Sequence, residues 1–424
     1  MKRVIRLNVN RWLPLLGSAL LLLVLSGCNF MMDPKLLMKT PELSSEKETL
    51  RSVINAELKG AVIRPRDATD ISSIRVVDLN KDGIMEAVVF YETPLEKVKV
   101  HGMILENQND TWVPKVRFDG EGQVLESFEL KDVTGTGEIN IVAGFSSGEN
   151  QTQKGLIVYS YTGSSVERIL ELPYNYFIID DLNDDGQLDI TVVSLRKDQY
   201  TTVTTYQYEQ SSFQELDKLQ LDNAVSGYYN VVHGNITPEK RGIILDAISG
   251  ELSGYSIIII MEDGKLIDLI PDQSSTLKDY QIMSGDVNDD GILEIGMLET
   301  PKGWEYIAFD DIPWLFSYYR WDPDKGLTFV MQQYMDLEGR FYFNLPKEWW
   351  GKVTIDIKSV KDEHIKFVDI DTNATLAEIR FFSLAEWEQV QEDWELFARD
   401  NDKVIGFLSH TDLKVNKGEK EIKR

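Results

Sequence analysis

Residues 78–86 read Asp78-Leu79-Asn80-Lys81-Asp82-Gly83-Ile84-Met85-Glu86. Oxygen-bearing side chains occupy positions 1, 3, 5 and 9 of this stretch, and glycine occupies position 6. Glycine permits a sharp bend there because it enters positive φ without steric cost. Two more copies keep the pattern: Asp181-Leu182-Asn183-Asp184-Asp185-Gly186-Gln187-Leu188-Asp189 and Asp286-Val287-Asn288-Asp289-Asp290-Gly291-Ile292-Leu293-Glu294. The sequence therefore predicts a tight acidic turn that occurs three times.

Two weaker copies lie between the clean ones. Residues 132–140 keep the glycine but have a single acid, Asp132, among the side-chain ligand positions, and residues 235–242 have lost the pattern. The five copies start at 78, 132, 181, 235 and 286, which are 54, 49, 54 and 51 residues apart. A period near fifty is typical of propellers and solenoids.

The segments between the loops have the composition of strands. Short apolar runs at 74–77 and 87–91 flank the first loop, and similar runs at 176–179 and 190–193 flank the third. Asp263-Gly264 marks a hairpin turn. Four strands per repeat, arranged radially, predict an all-β propeller of five to seven four-stranded blades over residues 71–334.

The repeats resemble the FG-GAP or VCBS family of calcium-binding propeller blades, which also occurs at the N-terminus of integrin α chains. The resemblance covers roughly residues 71–334. It is carried by the three loops, by the strands after them and by Ile141-Val142-Ala143-Gly144-Phe145, which is similar to the family's strand and small-residue turn. The chain departs from the family in having no Phe-Gly before the loops and in the lost fourth loop.

The resemblance implies three structural Ca²⁺ sites, with position 7 contributing its backbone carbonyl. Oxygen ligands at alternate residues of a tight turn suit a hard cation. The alternative is an Asp/Asn-Gly turn without metal. We expect no metal in the second and fourth loops, and either Lys240 or Arg241 at the cation position of the fourth. The implied ligands are Asp78, Asn80, Asp82, Ile84 and Glu86 in the first loop, Asp181, Asn183, Asp185, Gln187 and Asp189 in the third, and Asp286, Asn288, Asp290, Ile292 and Glu294 in the fifth.

The N-terminus has the pattern of an export signal. Four basic residues precede an apolar stretch at 12–25, and Leu25-Ser26-Gly27-Cys28 resembles the bacterial lipobox. This pattern predicts a lipoprotein signal peptide at 1–27, lipidation at Cys28 and a tether with a short helix at 28–70. The expected location is the extracytoplasmic face of the cell membrane, at the cell surface. Because Cys28 is the single cysteine of the chain, no internal disulfide is expected.

The charge of the chain excludes a class of partners. The net charge is −26, and removing residues 1–27 with four cations and no acids gives −26 − 4 = −30. Binding to nucleic acid is not expected, because phosphate contacts need a basic surface. Anchoring in the membrane would depend on the lipid.

The repeat stops near residue 335, and we predict a small α+β domain at 335–413 followed by a charged tail at 414–424. Ser383 and Glu386 form a capping box. A helix is expected to follow it, with Trp387, Val390, Trp394 and Phe397 on one face.

No catalytic motif is present, and the four histidines lack the spacing of ligands. The expected function is that of a non-enzymatic binding module for an envelope or extracellular ligand, such as a cell-wall glycan or envelope protein. The first alternative is an envelope hydrolase or lyase that uses carboxylates on the propeller face. The second is a sensory or accessory subunit that acts through the C-terminal α+β domain.

Overall fold

The structure is a computed structural model, and it describes residues 45–58, 61–66, 72–93, 98–148, 151–221, 225–336, 339–400, 403–411 and 416–418. The predicted signal peptide and Cys28 lie outside these residues. Within the described part of the chain, none of the helices is both long and apolar enough to span a membrane.

The chain divides into two compact units. The first contains helix α1 (Ser45–Glu57) and residues 107–113. The predicted helical spacing is confirmed in α1, where Leu50 and Ile54 are buried. The second unit contains the remaining strands and helix α2 (Leu384–Val390).

Six antiparallel sheets follow one another along the chain. Sheet 1 contains β1 (Ala61–Val62), β2 (Ile74–Val77), β3 (Glu86–Glu92), β4 (Val100–Gln108) and β5 (Thr111–Asp119). Sheet 2 contains β6 (Val124–Lys131), β7 (Asn140–Ser146), β8 (Lys154–Tyr161) and β9 (Val166–Tyr174). Sheet 3 contains β10 (Tyr176–Asp180), β11 (Asp189–Arg196), β12 (Tyr200–Glu209) and β13 (Ser212–Leu221).

Sheet 4 contains β14 (Tyr228–Thr237), β15 (Lys240–Ile248), β16 (Gly254–Glu262), β17 (Lys265–Asp268) and β18 (Leu277–Lys278). Sheet 5 contains β19 (Ile295–Glu299), β20 (Leu315–Asp322), β21 (Gly326–Met335) and β22 (Tyr342–Asn344). Sheet 6 contains β23 (Val353–Ile355), β24 (His364–Asp369), β25 (Thr375–Ser383), β26 (Glu395–Asp400) and β27 (Lys403–Ser409). A last strand, β28 (Asn416–Gly418), joins sheet 5 beside β22.

Most sheets are meanders in which consecutive strands pair. In sheets 2 and 3 the order is simply the chain order of four strands. In sheet 1, β1 and β2 both pair with β3, at its C-terminal and N-terminal halves respectively. In sheet 4, β17 and β18 share one edge of β16 in the same way. The hairpin predicted at Asp263-Gly264 is confirmed by the pairing of β16 with β17.

Successive sheets pack face to face, and each neighbouring pair shares an apolar core. Phe90 and Phe145 lie in the core between sheets 1 and 2, and Val158 and Ile190 lie between sheets 2 and 3. Equivalent cores join sheets 3 and 4, 4 and 5, and 5 and 6. Six stacked antiparallel sheets are the blades of a β-propeller, so the predicted fold class is confirmed.

The C-terminal region is built from strands and one short helix. Met335 of β21 pairs with Tyr342 of β22, so a domain boundary at 335 would separate two hydrogen-bonded strands. Within the predicted charged tail at 414–424, residues 416–418 form β28, which pairs with β22.

The second predicted helix is shorter than its apolar spacing suggests. The capping box is confirmed, because Ser383 accepts a hydrogen bond from the Glu386 N–H and the Glu386 side chain accepts one from Ser383. However, α2 ends at Val390, and Phe397 belongs to β26, so the prediction of one helical face is wrong. Pairing of β26 with β27 outweighs the helical pattern. Trp387 is buried, so it forms no exposed groove for a partner.

Candidate metal loops

The acidic loops all lie at one end of the sheets. The first loop connects β2 to β3, the third connects β10 to β11, and the fifth precedes β19. Neighbouring loops are in contact along the row. Ile139 N donates to Leu79 O (2.7 Å) between loops one and two, and Leu293 N donates to Asn235 O (2.8 Å) between loops four and five.

The three acidic loops share one backbone conformation. Position 6 has φ of +84° at Gly83, +88° at Gly186 and +86° at Gly291, as the sequence pattern predicts. Position 4 is also left-handed, with φ of 58–59° at the three non-glycine residues Lys81, Asp184 and Asp289. The second loop repeats both features with Gly135 and Gly137. It has therefore kept the backbone, although Asp132 is the one acid left among its side-chain ligand positions.

The side chains at positions 1, 3 and 5 point into each loop and accept its N–H groups. In the first loop, Gly83 N donates to Asp78 Oδ2 (3.0 Å), and Ile84 N donates to Asp82 Oδ1 (2.8 Å). Position 3 takes part through Asn80, whose amide donates to Asp82 Oδ2 (3.0 Å). The third and fifth loops repeat these contacts at Asp181, Asn183, Asp185 and Gln187, and at Asp286, Asn288, Asp290 and Ile292.

The carboxylate at position 9 is the distinctive group of each loop. Glu86, Asp189 and Glu294 are all fully buried. One oxygen of each accepts the N–H of position 2, at 2.7 Å for Glu86, 3.1 Å for Asp189 and 3.0 Å for Glu294. The second oxygen of each has no hydrogen-bond partner. An unpaired buried carboxylate oxygen is costly, so a compensating group is expected beside it.

Burial changes the acidity of these carboxyl groups. Desolvation, reinforced by the neighbouring loop aspartates, raises the pKa of Glu86 to about 7. The pKa of Asp189 and the pKa of Glu294 are each also raised to about 7 by desolvation. A cation bound in the loop would favour the ionised form of all three groups.

The second loop has a neutral group at position 9. Asn140 is buried, and its Oδ1 accepts the N–H of Val133 at 3.1 Å, the same contact that the carboxylates make. An amide can fill this position without charge. The loop that keeps only Asp132 among its acidic ligand positions has therefore also lost the buried charge at position 9.

The cations of the fourth loop form hydrogen bonds with acids in or beside the third loop. The Arg241 guanidinium donates through Nε to Asp180 Oδ1 (2.7 Å) and through one terminal nitrogen to Asp180 Oδ2 (2.8 Å). His233 Nδ1 lies 2.8 Å from Asp180 Oδ2, and Lys240 Nζ donates to Asp184 Oδ2 (3.1 Å). Desolvation acts to raise the pKa of Asp180, but the hydrogen bonds from His233 and Arg241 outweigh it and hold that pKa below its ordinary value.

Sequence reasoning missed two groups around the third loop. Asp180 ends β10 one residue before the loop, and nothing in the repeat pattern distinguishes it. Gln207 lies on β12 and donates to Asp185 Oδ2 at 2.6 Å. Both contacts join segments that are 20 or more residues apart, so only the folded chain reveals them.

The geometry of the loops bears on whether they can hold a metal ion. In the described residues, no three side chains of His, Cys, Asp or Glu are grouped so that they could hold a metal ion. The implied ligand set, however, also contains an Asn amide and a backbone carbonyl in every loop. The unpaired buried oxygen at position 9 fits an oxygen-bound cation, and the same oxygen would be unfavourable in a metal-free turn.

Comparisons with known proteins give only distant similarities. No family model and no curated protein matches the sequence. Among solved structures, Sqt1 from Saccharomyces cerevisiae is 11% identical with a TM-score of 0.34, over 79% of this chain and 83% of that one. Rhamnogalacturonan lyase YesW is 11% identical with a TM-score of 0.34, over 74% and 69%.

A third solved structure is the β-propeller domain of the Trilobed protease from Pyrococcus furiosus. It is 12% identical with a TM-score of 0.30, over 72% of this chain and 82% of that one. All three TM-scores are low. The fold assignment therefore rests on the sheet order and the inter-sheet cores described above.

Proposed function

We propose that this chain is a calcium-stabilised β-propeller of the FG-GAP/VCBS type that acts as a lipid-anchored binding module outside the cytoplasm. Its ligand would be an envelope or extracellular molecule. The observation that carries the proposal is the unpaired, fully buried carboxylate oxygen at position 9 of each acidic loop. The second loop, which keeps only Asp132 among the acidic ligand positions, has the neutral Asn140 there.

Calcium suits the loops better than a transition metal does. Every proposed ligand is an oxygen atom of a carboxylate, an amide or a backbone carbonyl, and Ca²⁺ takes ~6–8 such ligands. Imidazole and thiolate donors, which favour zinc and copper, are absent from the three loops. The ligands for each ion would be the side chains at positions 1, 3, 5 and 9 and the carbonyl at position 7.

The position of the loops favours a stabilising role. Leu79 of the first loop lies in the core between sheets 1 and 2, and Leu182 of the third lies in the core between sheets 3 and 4. Leu293 of the fifth loop lies in the core between sheets 4 and 5. A bound ion would fix the loop backbone that holds these side chains. Calcium would in this way strengthen the packing of one blade against the next.

The proposal is tested by thermal unfolding of the full chain, with Cys28→Ser to prevent lipidation. Melting temperatures are compared in EGTA, in 1 mM Ca²⁺ and in 1 mM Mg²⁺. With a dissociation constant of ~0.1 mM, each site would add about 1.4 kcal/mol at ~1 mM Ca²⁺. Ca²⁺ should raise the melting temperature and Mg²⁺ should raise it much less. Equal melting temperatures in EGTA and Ca²⁺ would show that the loops are turns that bind no calcium.

The location is tested separately. Cells that express the full chain should incorporate labelled palmitate into it, and Cys28→Ser should abolish the label. An unlabelled wild-type chain would refute lipid anchoring and leave the calcium proposal intact.

A further inference from the structure

A basic depression lies at the opposite end of sheets 1 and 2 from the metal loops. Three cations line it, namely Arg64, Arg66 and Lys99, and Glu92 is the one acid among the described residues around it. Its volume is about 560 Å³, a size typical of small-molecule sites. This local excess of cations contrasts with the net charge of −26 of the whole chain.

The two arginines belong to a short segment, residues 63–66, whose backbone is hydrogen-bonded to both sheet 1 and sheet 2. Ile63 N donates to Phe90 O in sheet 1 (3.0 Å), and Arg66 N donates to Leu125 O in sheet 2 (3.0 Å). Pro65 is buried, whereas the residues on either side of it, Arg64 and Arg66, are exposed. The two hydrogen bonds fix the backbone of this segment, and Arg64 and Arg66, two residues apart on it, both line the depression.

The third cation comes from the connection that leads into β4. Lys99 N donates to Gly122 O (3.1 Å), and Lys99 Nζ donates to Gln123 Oε1 (3.3 Å). These contacts hold the lysine stem beside the turn before β6. An ammonium group has three donors, so it can keep the contact with Gln123 and still donate to a ligand.

The local charges decide which ligands this depression attracts. At physiological ionic strength the Debye length is about 8 Å, so distant acids of the protein are largely screened. Among the described residues that line the depression, three cations face one acid, and a guanidinium group has five donors, so it can keep an existing contact and still bind a ligand. Guanidinium groups bind carboxylate and phosphate oxygens through paired, charge-assisted hydrogen bonds. An anionic group is therefore favoured here, although the protein as a whole repels anions.

A second depression, with a volume of about 500 Å³, lies beside the first, because its lining residues Gly122 and Ser147 directly precede Gln123 and Gly148 of the first. Its lining includes Ser147, Gln153 and two acids, Glu121 and Glu171. Hydroxyl, amide and carboxylate groups of this kind suit the hydroxyl groups of a sugar. Lys154 in its wall is paired with the buried carboxylate of Glu126 at 3.0 Å, so this lysine is already neutralised.

We propose that the two depressions form a binding site for an anionic saccharide. Arg64, Arg66 and Lys99 hold its carboxylate or phosphate group, and the adjoining depression holds neutral sugar hydroxyls. This inference rests on the proposed binding role and gives that role a ligand class. It does not depend on the metal loops, which lie at the other end of the strands.

The test uses three sugars that differ only at carbon 6: glucose, glucuronate and glucose 6-phosphate. Each is titrated calorimetrically into the full chain with Cys28→Ser, in Ca²⁺ and at low salt. At least one anion should bind, and glucose should bind at least about tenfold more weakly because it makes no charge-assisted hydrogen bond. The preferred anion then distinguishes a uronate ligand from a sugar phosphate.

Two sets of variants locate the binding. The double variant R64Q/R66Q should weaken anion binding at least about tenfold, because two charged donors are lost. K99Q, which leaves the connecting segment intact, should weaken it severalfold. The control R196Q/K197Q removes two exposed cations from the same end of sheet 3 and should leave affinity within about twofold.

Three results would overturn the inference: glucose binding as tightly as the anions, no binding of either anion, or equal losses in both double variants. The calcium-dependent melting of R64Q/R66Q is measured in parallel and should match the parent chain. An intact calcium response with no anion binding would reject the saccharide site and leave the calcium proposal standing.

Discussion

Replacing Glu86 by glutamine should stabilise the calcium-free protein and weaken its response to calcium. Glu86 is fully buried, and one of its oxygens has no partner. Its pKa is about 7 in the folded chain against an ordinary value of 4.5. Keeping this group ionised in the calcium-free fold at pH 8 therefore costs about 3 kcal/mol. Glutamine has the same shape, retains an acceptor for Leu79 N–H and carries no charge.

The size of this stabilisation depends on pH. The pKa of Glu86 is higher in the folded chain than in the unfolded chain. Its contribution to the free energy of unfolding is therefore most favourable at low pH and is lost as the pH rises from 4.5 to about 7. The advantage of Glu86→Gln in EGTA should therefore shrink from about 3 kcal/mol at pH 8 to below about 1 kcal/mol at pH 5. In Ca²⁺ the advantage at pH 8 should narrow from about 3 to about 2 kcal/mol, because the variant lacks one of the three proposed calcium contributions of about 1.4 kcal/mol each.

The assay is urea unfolding at pH 5 and pH 8, with EGTA and with 1 mM Ca²⁺. Asn140→Asp is the matched control, because it places a carboxylate at the same position of the second loop, where Asp132 is the only other acid among the side-chain ligand positions. It should destabilise the protein at pH 8 in EGTA, and Ca²⁺ should not restore the loss. If Glu86→Gln is less stable than the parent in EGTA and responds equally to Ca²⁺, position 9 is not a metal ligand.

Three further substitutions test the description of the fold. Lys278→Met removes the partner of a fully buried aspartate in sheet 4 and should cost about 3–5 kcal/mol, measured by urea unfolding. Arg241→Gln should cost on the order of 2 kcal/mol at pH 7. Because the pKa of Asp180 is lowered, that difference should disappear as pH falls below the ordinary value of 3.8, which pH-dependent melting would show. Gly242→Ala would place a Cβ 2.5 Å from Ile259 O and should cost about 1–3 kcal/mol, and an unchanged melting temperature would contradict this packing.

The sequence predicted the parts of the fold that depend on local pattern. The loop residues and the fifty-residue period identified the first blades, because glycine at position 6 adopts the positive φ that the turn requires. The strands on either side of the first and third loops also lie where the apolar runs indicated. The sixth blade has no acidic loop, so the period gave no signal there.

The remaining features depend on contacts between distant segments. Helical spacing from Trp387 to Phe397 was misleading, because pairing with β27 draws residues 395–400 into a sheet. The salt bridge of Arg241 with Asp180 joins two blades across 61 residues. The basic depression likewise combines residues 63–66, 92, 99 and 123–125. Neither arrangement leaves a pattern along the sequence.

The distribution of cations along the row of loops explains why calcium would still be needed. Protein cations lie close to the acidic loops. Lys81 belongs to the first loop, Lys240 contacts Asp184 of the third, and Arg320 lies 3.7 Å from Asp290 of the fifth. The two contacted acids, Asp184 and Asp290, are exposed.

None of these three cations reaches the inner carboxylates. The unpaired oxygens of Glu86, Asp189 and Glu294 are buried and have no partner among the described residues. A lysine or arginine at that point would need a long side chain inside a turn of nine residues, whereas a bare ion needs only the space among the ligands. The protein's own cations thus contact exposed acids of the third and fifth loops, and the buried acids at position 9 are the ones for which an added cation would contribute most to stability.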